Sequence, residues 1–169
     1  QMCIRDRAAG VAASLRSPDG SFRADVIVGR ALEAILRTPE VVDGPRVLLA
    51  LRRRQEADHR AVRVVGVCRA RVWMPGRECA LVGSWPGGPV VVSLFALGGD
   101  EEAVARRGRR LVLHGLARSF WVAACGDSRC PGERFYGAIG AVTAREAAAS
   151  VAALDAIAAR FCKKCLGQL

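Results

Sequence analysis

Long apolar runs are missing from this chain of 169 residues. None reaches the ~18 residues that a membrane-spanning helix needs, so membrane insertion through helices is not expected. The longest candidate, Val90, Val91, Val92, Leu94, Phe95 and Leu97, has the length of a buried strand. The first residues lack the continuous apolar core of a secretory signal. No internal repeat and no low-complexity linker breaks the chain, which excludes solenoid and tethered-domain layouts. Aromatic residues make up 5% of the sequence, so the interleaved residues that stack bases are scarce. Lysine occurs only as Lys163 and Lys164, so the net charge of +10 is almost wholly arginine.

That charge permits contact with nucleic acid or an acidic surface. The arginines are scattered, however, and cluster only at Arg52 to Arg54 and Arg106 to Arg110, which read as solvated faces. Half of the residues are apolar and a quarter charged, an ordinary globular composition that argues against bulk disorder. Residues Gln1 to Arg7 look like sequencing-adaptor read-through and are set aside with Cys3, so the native start is expected to be missing. Residues 8–169 are enough for one domain with a real core.

Arg23 to Arg37 reads as an amphipathic helix, with Val28, Ala31, Leu32, Ile35 and Leu36 at helical spacing and Thr38-Pro39 ending the run. Arg46 to Arg53 contains Val47-Leu48-Leu49-Ala50-Leu51, which fits a buried strand. Val62 to Met74 and Cys79 to Trp85 read as further strands, the latter closed by Pro86-Gly87-Gly88-Pro89. Val90 to Leu97 is β-branched and apolar, as a central strand is. Glu101 to Val122 reads as a long helix with an acidic start suited to the helix dipole. Thr143 to Phe161 reads as another, opened by a capping-box pattern at Thr143 and Glu146. The expected fold is α/β: a mixed, twisted sheet of about four strands with helices packed on it.

Six cysteines remain after Cys3 is set aside. Cys125-Gly-Asp-Ser-Arg-Cys130 places two thiols at the ends of a tight loop, and Cys162-Lys-Lys-Cys165 places two more just past a helix end. Two closely spaced pairs from separate segments can supply the tetrahedral sulfur set of a zinc ion. With no export signal, a reducing, cytoplasmic setting favours metal over disulfides. The plainer alternative is four free thiols, or two disulfides within the pairs. Four cysteine ligands leave no open position, so such a zinc is structural, and Lys163, Lys164 and Arg129 would partly offset its surplus negative charge. Cys68 and Cys79 sit on apolar segments at no ligand spacing and read as core residues.

From His114 onward the chain resembles the archaemetzincin family of zinc metallopeptidases. That family carries HExxHxxGxxHC, a second cysteine after four further residues, and a Phe-Cys-x-x-Cys near its C-terminus. Here His114 and Cys125 stand at the first and last positions of the motif, followed in register by Cys130 and by Phe161-Cys162-Lys-Lys-Cys165. Upstream, Val64-Val65-Gly66-Val67, Val72-Trp73-Met74-Pro75, Leu81-Val82-Gly83 and Val91-Val92-Ser93-Leu94 look like the strands before the family's catalytic helix. The similarity covers roughly residues 20 to 169 and implies a zincin-like fold with a cysteine-bound structural zinc.

The resemblance also implies three histidine ligands for a catalytic zinc and a glutamate that activates its water, and here this chain departs. Gly115 holds the glutamate position, Arg118 the second histidine, Trp121 the glycine, Ala124 the third histidine, and Gly132 the place of a methionine. Zinc hydrolysis needs an open three-ligand site and a base, and one histidine supplies neither. His114 is therefore expected to be a structural remnant, His59 an exposed residue, and Glu133 a carboxylate with nothing to activate. The reading that follows is a pseudopeptidase with one structural zinc, no catalytic zinc, and a peptide or protein partner at a sheet edge. The alternatives are an active zinc peptidase and a basic zinc module that binds nucleic acid.

Overall fold

The structure, a computed structural model, describes residues 12–16, 23–27, 41–57, 63–132, 151–158 and 160–168, the first two segments as backbone only. Gln1 to Arg7, His59, Glu133, Thr143 and Glu146 lie outside the described residues. β1 (Ala12–Arg16) and β2 (Arg23–Ile27) pair antiparallel, so the first part of the expected helix Arg23 to Arg37 is a strand. Its partner strand, not local periodicity, decides its state, and the rest of that segment lies outside the described residues.

After β3 (Val41–Asp43) comes α1 (Gly44–Ala57), a helix where a buried strand was expected from Arg46 to Arg53. Asp43 starts it: its Oδ1 accepts the N–H of Arg46 at 3.0 Å, an N-cap contact, and Pro45 suits the first helical turn. The leucines, alanine and arginines that follow are strong helix formers. Val47, Leu48 and Leu51 recur on one helical face and are buried. Gly44 has no room for a side chain, since a Cβ there would overlap Met74 Sδ and lie 2.6 Å from Trp73 O. That close approach presses the start of α1 onto the neighbouring strand.

The remaining strands are short: β4 (Val65–Cys68), β5 (Arg71–Met74), β6 (Arg77–Ala80), β7 (Val82–Ser84) and β8 (Val90–Ser93). They form two three-stranded mixed sheets, ordered β3-β5-β6 and β4-β8-β7. In each sheet one pairing is parallel (β3 with β5, β4 with β8) and one antiparallel (β5 with β6, β7 with β8). The mixed α/β class is as expected. The strands are more numerous because β1, β2 and β3 add to those expected, and two of the expected ones, Val62 to Met74 and Cys79 to Trp85, each break in two. Ser93, fully buried at the end of β8, sits at both breaks. Its Oγ donates to Ala70 O at 2.7 Å, and its N–H donates to Leu81 O at 2.9 Å.

β8 is buried along its whole length and central in its sheet, as its apolar run predicts. Its faces divide the core. Val90 and Val92 pack with Leu111, Val112, Leu116, Leu154 and Ile157 on one side. Val91 packs with Val47, Leu48 and Leu51 of α1 on the other. The sheet is thus a middle layer between α1 and the long helix α2 (Glu101–Ser119).

Asp100 caps α2 through Oδ1, which accepts Ala103 N at 2.8 Å, and Glu101 and Glu102 suit the positive end of its dipole. The helix stops three residues short of the expected Val122. Trp121 takes a left-handed backbone (φ 60), Val122 N–H bonds Ala117 O at 2.9 Å and Trp121 N–H bonds Arg118 O at 3.2 Å. Those two bonds are the Schellman pattern, which turns the chain out of the helix.

Residues 151–156 are helical, inside the expected span Thr143 to Phe161. Phe161 is not, because Ala158 N–H bonds Arg129 O at 2.6 Å and draws the chain toward the cysteine loop. Arg107 fastens this segment to α2 with Nη2 2.6 Å from Asp155 Oδ2, while its Nη1 donates to Leu97 O and Gly98 O. Arg110 joins the same carboxylate at 3.1 Å. No helix among the described residues is long and apolar enough to cross a membrane.

Candidate metal centre

The loop after α2 brings Cys125 and Cys130 to the end of the chain segment that carries Cys162 and Cys165. Gly126, at φ 81, and Asp127 make the turn between the first two. Asp127 Oδ1 accepts Arg129 N–H at 3.0 Å and its carbonyl accepts Cys130 N–H at 2.9 Å. Cys162 caps the short helix α3 (Lys163–Leu166), which turns Cys165 back toward the loop.

The four sulfurs lie within 4.8 Å of one another. A zinc ion with ~2.3 Å bonds to four sulfurs sets them ~3.8 Å apart, so the cluster has the dimensions of a tetrahedral site. Among the described residues it is the one group of three or more His, Cys, Asp or Glu side chains able to hold a metal. Cys130 and Cys165 are buried, Cys125 and Cys162 half-buried. Cys130 Sγ accepts two backbone N–H groups, from Gly132 and from Cys162, both at 3.4 Å. Such bonds orient a ligand sulfur.

The backbone N–H of Cys165, together with the neighbouring sulfurs, draws the Cys162 thiol down to about 7. Burial, then the adjoining sulfurs, raises Cys165, and burial raises Cys125. Four sulfurs this close cannot all be anionic without a cation among them. Gly132, in place of the methionine that the resemblance implies, has no space for one: a Cβ there would lie 2.6 Å from Cys165 Sγ.

The other positions of the motif lie along α2 and the turn after it. His114 is buried, and its Nδ1 is 3.0 Å from Pro131 O. A carbonyl can only accept, so Nδ1 carries the proton. The residue ties the helix to the cysteine loop. Gly115 is packed against the sheet: a Cβ there would overlap Val90 Cγ1 and lie 3.1 Å from Val82 Cγ1. Arg118 and Trp121 are exposed, and Ala124 is half-buried with no ligating atom. Trp121, at the motif's glycine position, takes a left-handed backbone, at a cost of ~1 kcal/mol for a residue with a Cβ. Among the described residues the four cysteines therefore fit a metal ion, while the motif positions on α2 and the turn after it offer one histidine, His114. Cys68 and Cys79 are buried in the core, as expected, and burial pushes the Cys68 thiol up to about 11.

Burial, helped by the charge of Arg118 and opposed by the Pro131 bond, brings His114 from its usual 6.5 to about 4. Between those values the unfolded chain takes a proton that the folded chain refuses. Stability is therefore expected to fall by ~3 kcal/mol as pH drops through that window. His114→Asn, which keeps a donor for Pro131 O, should flatten this dependence. Urea unfolding of both proteins across that range checks it, acid effects on the cysteines being common to the two. Equal slopes would show that His114 is not the group responsible.

No family model matches the chain, and no curated protein does. Among solved structures the fold is similar to that of archaemetzincin from Methanopyrus kandleri, with a TM-score of 0.59 and 20% identity over 80% of this chain and 68% of that one. It is also similar to a zinc-dependent peptidase from Methanocorpusculum labreanum (strain Z), with a TM-score of 0.57 and 20% identity over 75% of this chain and 73% of that one. The fold is the archaemetzincin fold.

Proposed function

We propose that this archaemetzincin fold is a pseudopeptidase, held together by one structural zinc and lacking the catalytic one. The observation that carries the reading is a contrast on neighbouring segments. The four sulfurs converge to within 4.8 Å, while the helix before them offers a single histidine, already bonded to Pro131 O. Cys125, Cys130, Cys162 and Cys165 would hold the ion, which supplies cross-linking and no Lewis acidity toward a substrate, because no coordination position stays open. Gly115 supports the loss of catalysis further, since the sheet occupies the space a general base would need. A cluster of reduced cysteines suits a reducing compartment such as the cytoplasm. The partner this reading admits is an extended peptide along β7, an edge strand of its sheet.

Metal analysis of the purified chain is expected to give about one zinc, with no turnover of peptide substrates when zinc is supplied in excess. A second zinc accompanied by peptide cleavage would establish the alternative, an active metallopeptidase.

A further inference from the structure

Three segments far apart in sequence meet at the C-terminal end of α2. The turn after β7 donates Gly87 N–H to Ser119 O at 2.9 Å, and Arg63 Nη2 donates to the same carbonyl at 3.4 Å. The Arg63 guanidinium also lies over the Phe120 ring, 4.3 Å from its centre. Arg52 reaches this turn from α1: its Nη1 is 3.8 Å from where a Cβ of Gly88 would stand. Trp121 Nε1 is 4.0 Å from the corresponding point on Gly87. Trp121 is 72% exposed, and Arg118, in the last turn of α2, is exposed as well.

We infer that this surface binds single-stranded nucleic acid, with Trp121 as the stacking plane for a base and Arg52, Arg63 and Arg118 as the phosphate contacts. An exposed indole offers a π-face that any unpaired base can cover, and fixed cations around it track the backbone. The Schellman bonds that hold Trp121 in its left-handed backbone turn the chain out of α2 and leave the residue exposed. The electrostatics agree. Arg63 is lowered by burial and then by the charge of Arg52, and an intervening anion relieves that second effect. Glu56 pairs with Arg52 at 2.7 Å, and Arg63 and Arg118 add positive charge on a chain of net charge +10. The run Arg106 to Arg110 is partly neutralised, Arg107 and Arg110 by Asp155 and Arg106 by Glu102, as Arg52 is by Glu56. An acidic peptide would use the arginines but leave the indole plane idle, and a duplex offers no unpaired base to it.

The test is fluorescence anisotropy of a labelled oligothymidine of about 12 nucleotides, titrated with the zinc-loaded full chain. Three phosphate contacts predict a roughly twenty-fold loss of affinity between about 50 and 200 mM salt. Trp121→Gly is expected to weaken binding about tenfold or more, whereas Trp121→Phe, which keeps a ring, stays within about threefold of the parent. Because glycine suits the left-handed backbone, Trp121→Gly should melt no lower than the parent, which separates lost stacking from lost folding. Three outcomes would overturn the proposal: no binding at the lower salt, a Trp121→Gly protein that binds as tightly as the parent, or displacement by polyglutamate as effective as by unlabelled oligonucleotide. The last would identify an acidic protein as the partner.

Discussion

Replacing Cys162 by serine is expected to lower the melting temperature by about 10 °C or more and to abolish stoichiometric zinc. A structural zinc site contributes ~10–16 kcal/mol of apparent binding energy, comparable with the whole stability of a typical domain at ~5–15 kcal/mol. Loss of one ligand of four therefore removes several kcal/mol, each worth ~2–4 °C in a chain of this size. Few other contacts among the described residues hold the two cysteine segments together. Ala158 N–H bonds Arg129 O, and Ala123 N–H bonds the Gln168 side chain at 2.9 Å. A chelator titration of the unmutated chain measures the same dependence should the variant fail to fold. If neither treatment moves the melting temperature and zinc stays bound, these cysteines are not the ligands.

Gly115→Glu, the change that rebuilds the motif's general base, is expected to damage the protein and to yield no peptidase. The first side-chain atom would overlap Val90 and crowd Val82, in the core layer between α2 and β8. Overpacking of this kind costs ~1–3 kcal/mol even for a methyl group, and a buried carboxylate adds a desolvation penalty of several kcal/mol more. Gly115→Ala isolates the steric part. Urea midpoints for both variants decide the matter; a Gly115→Glu protein as stable as its parent would mean that the helix can rotate or lift from the sheet.

The cysteine pairs, α2 and β8 were legible in the sequence because each is specified locally. Paired thiols need only their spacing, α2 carries its own acidic start and Asp100 cap, and β8 is apolar on both faces because both faces are covered. What misled was context. Val47 to Leu51 suits a buried strand or a helix equally well by composition, and the deciding signal was upstream, in the Asp43 cap and Pro45. Arg23 to Ile27 carries helical spacing into the residues after it, yet it pairs with Ala12 to Arg16. The breaks in two expected strands arise at Ser93, a residue on neither of them. The Trp121 and arginine surface was invisible for the same reason, since Arg52, Arg63, Gly87 and Trp121 become neighbours only through the fold. Gly115 read as a lost catalytic residue, and only the packing showed that the space itself had closed.

The two halves of the metal cluster also set a timetable for the chain's biogenesis. Cys130 and Cys162 stand 32 residues apart. At ~5–20 residues per second, a ribosome needs roughly two to six seconds to supply the second half after the first. During that interval Cys125 and Cys130 are an open chelating arm, able to grip a metal weakly and to react with passing oxidants. A metal held by all four sulfurs would be locked only when the later pair arrives, so its capture would depend on the thiol-reducing power of the surroundings until then.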